Sequence, residues 1–316
     1  YHEYGPPDVL GLQEIEEPVI NDDQVLVRVH AASVNWLDWH FLMGTPFLAR
    51  LMAGLRKPKH KVLGIDVAGR VEAVGANVKQ FQPGDEVFGS SNHGCFAEYM
   101  CVSEAAVVKK PSHLSFGQVA AVPGAATPAL QGLRDYGQIQ PGQKVLINGA
   151  SGGVGTFAVQ LAKSFGAEVT GVCSTRNLDM VRSIGADYVI DYTQEDFTQT
   201  GERYDLIFDV VAKRTFSDCQ RALKPQGVYV TTEFSPVLAL AGRWRSMTGN
   251  QKMVPLSPKA PSKTDLVSLK ELLEAQVTPI IDRRYKLSEL PDALRYVASG
   301  RARCKVIITM SCKGRG

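Results

Sequence analysis

The chain has 316 residues and a mass of 34.4 kDa, more than one hydrophobic core usually holds, so two domains are expected. A formal charge of +3 with 21% charged residues excludes the electrostatics of a nucleic-acid-binding protein, and there is no long one-sign tract or RNA-binding signature. Six cysteines, at 95, 101, 173, 219, 304 and 312, show neither paired metal spacing nor the density of a secreted disulfide scaffold, and read as reduced thiols. No apolar run approaches the ~20 residues that cross a bilayer. Tyr1-His2-Glu3-Tyr4 carries no signal-peptide pattern, which makes the cytoplasm the default expectation. Without an initiator Met, a removed targeting segment and an organellar location stay open.

From Val25 to Val108 short alternating runs are separated by Gly, Pro and Asp: Val25–Val29, Gly69–Val74, and Glu86–Gly89 after Pro83-Gly84-Asp85. They predict an antiparallel, barrel-like β domain. Within it, Trp36 to Leu55 is unusually apolar and is followed by the basic run Arg56-Lys57-Pro58-Lys59-His60-Lys61, which reads as a solvated loop rather than a site for anionic substrates. After Pro111 helices alternate with strands, the signature of a parallel sheet with crossover helices. Its strands are expected at 143–148, 168–173, 188–190, 206–209, 228–231 and 252–254. A second apolar stretch runs Phe234–Leu240. The tail shows a helix near Asp265–Ala275, a strand at Pro279–Ile281, a helix over Ser288–Ser299 and a strand at Lys305–Thr309. That last strand has no helical partner, so the tail is expected to return to the barrel.

The most informative stretch is Gly149-Ala150-Ser151-Gly152-Gly153-Val154-Gly155, set between the apolar strand Gln143–Asn148 and a helix over Thr156–Phe165. Gly152 and Gly153 let the backbone approach a pyrophosphate, Gly155 lets helix and strand pack closely, and the helix N-terminus binds the phosphates. Ser151, Gly152, Gly153, Val154 and Gly155 are therefore candidate cofactor contacts. A second strand, Glu168–Cys173, completes the strand–helix–strand unit and decides the nucleotide. An NAD site usually ends that strand in Asp or Glu, to hold the ribose 2′-hydroxyl. Here it ends Cys173-Ser174-Thr175-Arg176, with hydroxyls and a guanidinium that suit a 2′-phosphate. Cys173, Ser174 and Arg176 are assigned to the cofactor, and NADPH is the expected one.

Ordered matches along nearly the whole chain resemble the medium-chain dehydrogenase/reductase superfamily, in its zinc-independent quinone oxidoreductase branch. They include Tyr4–Leu10, Ser33-Val34-Asn35, Leu63–Gly69, Pro83–Gly89, Gly94–Tyr99, Gly149–Gly155 and Gly185-Ala186-Asp187. The resemblance implies an α/β chain: a GroES-like β-barrel substrate domain built from 1–117 and 259–316, around a doubly wound Rossmann cofactor domain over 118–258. The active site is expected in the cleft between them, and a homodimer is the family expectation. Zinc-dependent relatives carry Cys-His-Thr-Asp where this chain has Asn35-Trp36-Leu37-Asp38, and Gly-His-Glu where it has Gly64-Ile65-Asp66. The Cys and His ligands are gone from both places, and no metal is expected. His93 and Cys95 read as a turn residue and a core thiol.

Loss of zinc disfavours alcohol oxidation, whereas a quinone or conjugated carbonyl accepts hydride with hydrogen-bond donors alone stabilising the developing anion. The expected activity is thus NADPH-dependent reduction of a quinone or α,β-unsaturated carbonyl compound. An enoyl-thioester reductase and a non-catalytic NADPH-binding regulatory or structural protein are the alternatives. By resemblance, Asn35 lies near the substrate carbonyl or nicotinamide ribose, with a loop-fixing role as its structural alternative, and Asp38 and Asp66 orient the loop. Thr127 is placed at the nicotinamide or at a helix N-cap ahead of Pro128. Tyr192 is placed at the adenosine phosphate, Val210 and Val211 at the nicotinamide, and Lys305 at the cofactor phosphates. Ala212 and Cys304 stand where the family has glycine. Tyr4 and His40 are the proton-donor candidates, with a surface Tyr and a loop His as the plainer readings. The stretches Trp36–Leu55 and Phe234–Leu240 suit a greasy cleft, barrel packing or a dimer contact.

Overall fold

The computed structural model describes residues 1–232, 250–257 and 259–310. The stretch Phe234–Leu240 and Cys312 lie outside the described residues. The chain divides into two compact units, Tyr1–Gly124 with Ala260–Gly316, and Ala125–Lys259.

The first unit opens on β1 (Gln24–Val34), a strand long enough to take three partners along its length. Helices α1 (Trp36–Met43) and α2 (Phe47–Ala53) follow, then β2 (Asp66–Val74), β3 (Glu86–Ser90), β4 (Tyr99–Ser103), β5 (Val107–Lys109) and α3 (Phe116–Ala120). β2 runs antiparallel beside β1, β4 takes Gln24–Arg28 of β1, and β3 joins β2 to β5. A Cβ at Gly69 would meet the Arg28 carbonyl oxygen at 2.1 Å, so the glycine is what lets β2 close on β1. Alternate residues Val25, Val27 and Val29 turn into a core with Val67, Val71, Phe96 and Met100.

Helix α4 (Pro123–Gln131) leads into the second unit. There β6 (Lys144–Asn148), α5 (Gly153–Ser164), β7 (Glu168–Cys173), α6 (Leu178–Ser183), β8 (Tyr188–Asp191), β9 (Tyr204–Asp209), α7 (Phe216–Gln220), β10 (Leu223–Thr231) and β11 (Lys252–Pro255) build an all-parallel sheet. Its order, β11-β10-β9-β6-β7-β8, reverses direction between β6 and β9. That is the switch point at which doubly wound sheets bind ligands, outside the carboxyl ends of the strands. The central strands are continuous apolar runs, as a sheet covered on both faces requires.

The tail returns to the first unit. After α8 (Lys263–Ala275), strand β12 (Ile281–Lys286) and α9 (Leu290–Ala298), β13 (Lys305–Thr309) pairs antiparallel with Ala31–Val34 of β1. Two local expectations are corrected. The predicted strand at Pro279–Ile281 instead begins at Ile281 and runs to Lys286, carried by pairing to β13 through polar residues whose alternation is weak. That pairing is parallel, so the sheet is mixed rather than wholly antiparallel. Cys95, Cys101, Cys173, Cys219 and Cys304 are all free thiols. Among the described residues no helix is long and apolar enough to cross a membrane.

Leu146 is fully buried at the centre of the parallel sheet. Its replacement, Leu146→Ala, is expected to destabilise the second unit by about 2–5 kcal/mol through lost burial and a cavity. Chemical denaturation followed by circular dichroism measures this; a loss below the lower bound would show that the sheet repacks.

Candidate active site

At the switch point the glycine turn leaves β6 with Gly149 at φ +88°, a conformation that L side chains rarely adopt. Gly152 precedes α5, and a Cβ at Gly155 would lie 2.0 Å from the Gly149 carbonyl oxygen, so the helix start is pressed against the turn. The first N–H groups of α5 have no intrahelical acceptor and its dipole favours an anion beside them. Opposite, Val210 and Val211 leave β9 and pack against Gly149, where a Cβ would meet Val211 Cγ2 at 2.6 Å and Val210 Cγ2 at 2.8 Å.

A buried carboxylate sets that second loop. Asp209 Oδ1 accepts from the Val211 and Ala212 amides, each at 2.9 Å, and from Asn148 Nδ2 at 2.8 Å, while Oδ2 accepts from the Tyr229 hydroxyl at 2.9 Å. Asn148 and Asp209 end adjacent strands, so this network ties the two lips of the switch point together. Ala212, in the family's glycine position, takes φ +53°, and its amide bond to Asp209 holds it there. Cys304 likewise takes φ +56°.

The ends of β7 and β8 complete this edge. Asn177 Nδ2 donates to Ser151 Oγ at 3.0 Å and to Ser174 Oγ at 3.2 Å, joining the glycine turn to the end of β7. Asn177 Oδ1 is buried without a partner, as is Thr127 Oγ1. The Tyr192 amide donates to the Cys173 carbonyl at 3.1 Å, and the side chains of Tyr192 and Arg176 are both exposed. Asp191, at the end of β8, is a carboxylate on this edge that the sequence reading missed. It accepts from Thr175 Oγ1 at 2.5 Å and from Thr193 Oγ1 at 2.7 Å, bonds that hold its carboxyl below the usual range. Thus Ser151–Gly155, Cys173, Ser174, Arg176, Tyr192, Val210 and Val211 share one end of one sheet. Thr127 is not the helix N-cap that the sequence allowed. α4 starts at Pro123, and Pro128 lies inside it.

The first unit holds a separate, buried polar cluster built where β1, β2 and β13 meet. Lys305 Nζ donates to Asn35 Oδ1 at 2.5 Å and lies 3.7 Å from Asp66 Oδ2. Asn35 Nδ2 donates to Asp66 Oδ2 at 3.0 Å and to the Ser33 carbonyl at 3.2 Å, and Ser33 Oγ donates to Asp66 Oδ2 at 2.6 Å. An ammonium on one side and a carboxylate on the other fix which way the amide faces. The carbonyl of Asn35 is taken by Lys305 and its NH2 by Asp66 and Ser33, whereas the Lys305 ammonium carries three N–H groups and gives one to Asn35. The two residues that the sequence assigned separately, Asn35 and Lys305, are one hydrogen-bonded group. Burial pushes the Asp66 carboxyl up and the Lys305 ammonium down; their mutual attraction opposes both shifts, the Ser33 and Asn35 bonds oppose that of Asp66, and the Asp38 charge opposes that of Lys305.

Asp38 anchors the same loop from below: its Oδ2 accepts the Asn35 amide at 2.8 Å, while Oδ1 is buried without a partner. Burial, aided by the charge of Asp66 and opposed by the Asn35 bond and by Lys305, raises its pKa to about 7. The proton-donor candidates are occupied elsewhere. Tyr4 donates its hydroxyl to the Gly54 carbonyl under the Arg50 guanidinium, and His40 Nδ1 sits 2.7 Å from the Thr45 carbonyl. His93 stacks on His60 and Cys95 is fully buried. Among the described residues no group of three or more His, Cys, Asp or Glu is placed to hold a metal ion.

Comparison with known proteins converges on one family. Residues 21–112 match the family described as an alcohol dehydrogenase GroES-like domain, and 184–308 match the one described as zinc-binding dehydrogenase. The chain is 34% identical to the 2-methylene-furan-3-one reductase of Solanum lycopersicum, over 98% of this chain and 77% of that protein. It is also 34% identical to the chloroplastic quinone-oxidoreductase homolog of Spinacia oleracea, over 96% and 95%. Among solved structures, the quinone oxidoreductase from Coxiella burnetii superposes with a TM-score of 0.86 at 30% identity, covering 98% of both chains. The chain belongs to the medium-chain dehydrogenase/reductase superfamily, in its zinc-independent quinone oxidoreductase branch. It is an oxidoreductase with the dinucleotide-binding domain of a nicotinamide-dependent enzyme. The cradle fits that group: glycine at 155 where a Cβ would collide with the turn, a helix N-terminus for the pyrophosphate, and unpartnered buried acceptor and hydroxyl atoms on Asn177 and Thr127. In zinc-dependent members of this superfamily the positions of Asn35 and Asp66 belong to the metal site. This member carries a buried ammonium, Lys305, 2.5 Å from Asn35 Oδ1 and 3.7 Å from Asp66 Oδ2.

Gly155→Ala is expected to weaken dinucleotide binding at least tenfold, because its methyl can be housed only by parting helix from turn. Calorimetric titration reads this, and unchanged affinity would show that the turn does not position the phosphates. Asp38 gives a pH signature. Its folded pKa lies above the unfolded value, so the folded state binds the proton more tightly and stability is lost as pH rises from about 4 through about 7. Asp38→Asn keeps a cap acceptor without the charge, so it should raise Tm at pH ~8 relative to the parent, raise it less at pH ~5, and leave it nearly unchanged at pH ~3. An effect that does not grow with pH would refute the assignment.

Proposed function

We propose that the protein is a reductase that uses NADPH to transfer hydride to a quinone or an α,β-unsaturated carbonyl compound, without a metal. The observation that carries this reading is the buried Lys305–Asn35–Asp66 group, which sets an ammonium beside Asn35, the residue that stands where zinc-dependent relatives carry a cysteine. Relatives named as a 2-methylene-furan-3-one reductase, quinone oxidoreductases and an NADPH-dependent alkenal/one oxidoreductase support the acceptor class.

When bound, NADPH supplies the hydride. The chain's own part is binding and polarisation. Ser151, Gly152, Gly153, Val154 and Gly155 hold the pyrophosphate on the α5 N-terminus, and Val210 and Val211 give the nicotinamide an apolar wall. Thr127 offers its free hydroxyl to the carboxamide or ribose. Cys173, Ser174 and Arg176 recognise the 2′-phosphate, with Tyr192 on the adenosine side, and Asn177 keeps Ser151 and Ser174 in register. Thr175 and Thr193 occupy the Asp191 carboxylate, which reduces its repulsion of a phosphate. In the first unit Lys305, with N–H groups beyond the one bound by Asn35, stabilises the oxyanion that develops as the acceptor takes hydride. Asn35 and Asp66 position that ammonium, and the charges of Asp66 and Asp38 oppose its loss of the proton on burial. A homodimer without nucleic-acid or membrane-spanning partners completes the proposal. The chloroplastic and mitochondrial locations named for relatives make an organelle as fitting a home as the cytoplasm.

Purified protein should oxidise NADPH faster than NADH with a naphthoquinone or an alkenone as acceptor. Arg176→Ala should lower kcat/KM for NADPH on the order of tenfold and leave the NADH value nearly unchanged, the loss expected for one charge-assisted bond. Tight NADPH binding with no oxidation by any quinone or enone would overturn the enzymatic reading, and a preference for NADH would overturn the cofactor.

A further inference from the structure

Between Trp39 and Ile65 the sequence carries Arg50, Arg56, Lys57, Lys59 and Lys61 and no Asp or Glu, in a chain whose net charge is only +3. The structure shows what that segment presents. On α2, Phe47 and Leu51 are one helical turn apart and 66% and 54% exposed, and Leu55, just beyond the helix, is 57% exposed. The chain then folds back: the Lys59 amide donates to the Ala53 carbonyl at 2.7 Å, and the Gly54 amide to the Arg50 carbonyl at 2.8 Å. This places Arg56, Lys57 and Lys59 in a tight loop at the end of the apolar stripe, with Lys61 following. All four side chains are exposed, and none forms an ion pair among the described residues. Arg50 is different, since it is spent on the Gly44 carbonyl and the Tyr4 ring. Two further exposed apolar residues, Trp36 and Leu37, directly follow Asn35.

Exposed aromatic and leucine side chains beside unpaired lysines form a combination that water solvates poorly and an anionic bilayer surface solvates well. The rings and isobutyl groups enter the acyl boundary, and the ammonium groups stay with the lipid phosphates. We propose that α2 and the Arg56–Lys61 loop form a peripheral docking surface for anionic lipid membranes. The occupant follows from charge complementarity: an apolar partner alone would leave the four cations without counter-ions, and a soluble polyanion would leave Phe47, Leu51 and Leu55 in water. The surface lies close in sequence to Asn35, so a lipid-dissolved acceptor would be met where it is concentrated. That last benefit rests on the reductase reading, whereas the docking itself does not.

The test is co-sedimentation of the full protein with phosphatidylglycerol–phosphatidylcholine vesicles and with phosphatidylcholine vesicles, at low and high salt. Binding to the mixed vesicles only, released by salt, is expected. Each Lys near an anionic surface contributes about fivefold to partitioning, so Lys57→Gln/Lys59→Gln/Lys61→Gln should lower it about a hundredfold. Phe47→Ser/Leu51→Ser should lower it about tenfold or more. Melting temperatures check that both variants remain folded, and the salt series on the unaltered protein decides the matter if they do not. No sedimentation with the anionic vesicles, equal binding to both vesicle types, or partitioning indifferent to the variants would overturn the proposal. So would a dimer that Phe47→Ser/Leu51→Ser dissociates, because the stripe would then belong to a second copy. None of these measurements uses turnover, so their failure is distinct from failure of the reductase assignment.

Discussion

The pairing of β13 with β1 is the constraint on which the rest depends. It sets Val306 opposite Val34 and thereby delivers Lys305 to Asn35 across 270 residues of chain. An isolated ammonium at that depth would be driven toward neutrality by desolvation. Asp66, brought alongside by β2, and Asp38, in α1, supply the charges that oppose this, while Asn35, at the end of β1, accepts one of the ammonium's N–H groups. The arrangement needs all three strands at once. Removing either charge would leave the other buried and unpaired, a situation that typically costs 3–5 kcal/mol.

In the second unit the equivalent constraint is topological. A parallel sheet whose order reverses between β6 and β9 splays two loops at its carboxyl edge, and each loop carries its own means of holding shape. One is the glycine turn, in which the absence of side chains allows α5 to approach. The other is Asp209, whose two oxygens bind two loop amides, Asn148 and Tyr229. A rigid carboxyl edge with exposed amides suits a ligand that is itself long and anionic.

Much of this was legible in the sequence, because the signals were local. The glycine turn, the strand–helix–strand spacing and the polar end at Ser174 and Arg176 are contiguous patterns, and the structure gathers them at one sheet edge. What escaped the sequence was non-local. Asn177 gives no signal of its own, since its partners Ser151 and Ser174 come from different loops. Asp191 lies next to β7 only through the pairing of β8, and Asp209 looked like a strand end rather than the centre of a network. Asp66 and Lys305 were read on separate grounds, and only the register of β1, β2 and β13 makes them neighbours. Thr127 was misplaced at a helix start because Pro128 normally marks the first turn, whereas α4 accepts the proline in its interior.

The return of the tail also bears on how such a chain reaches its native state. During synthesis β1 to β5 and the whole second unit leave the ribosome before β13 exists, so Ala31–Val34 of β1 must wait with one edge unpaired. Contacts this distant in sequence form slowly, and an open strand edge is a template for wrong partners until they do. The second unit, built from neighbouring strands and their crossover helices, has no such dependence and can fold first. The first unit is therefore the part exposed to misassembly, and an early translational stop would leave a chain with its nucleotide cradle intact and its buried lysine missing.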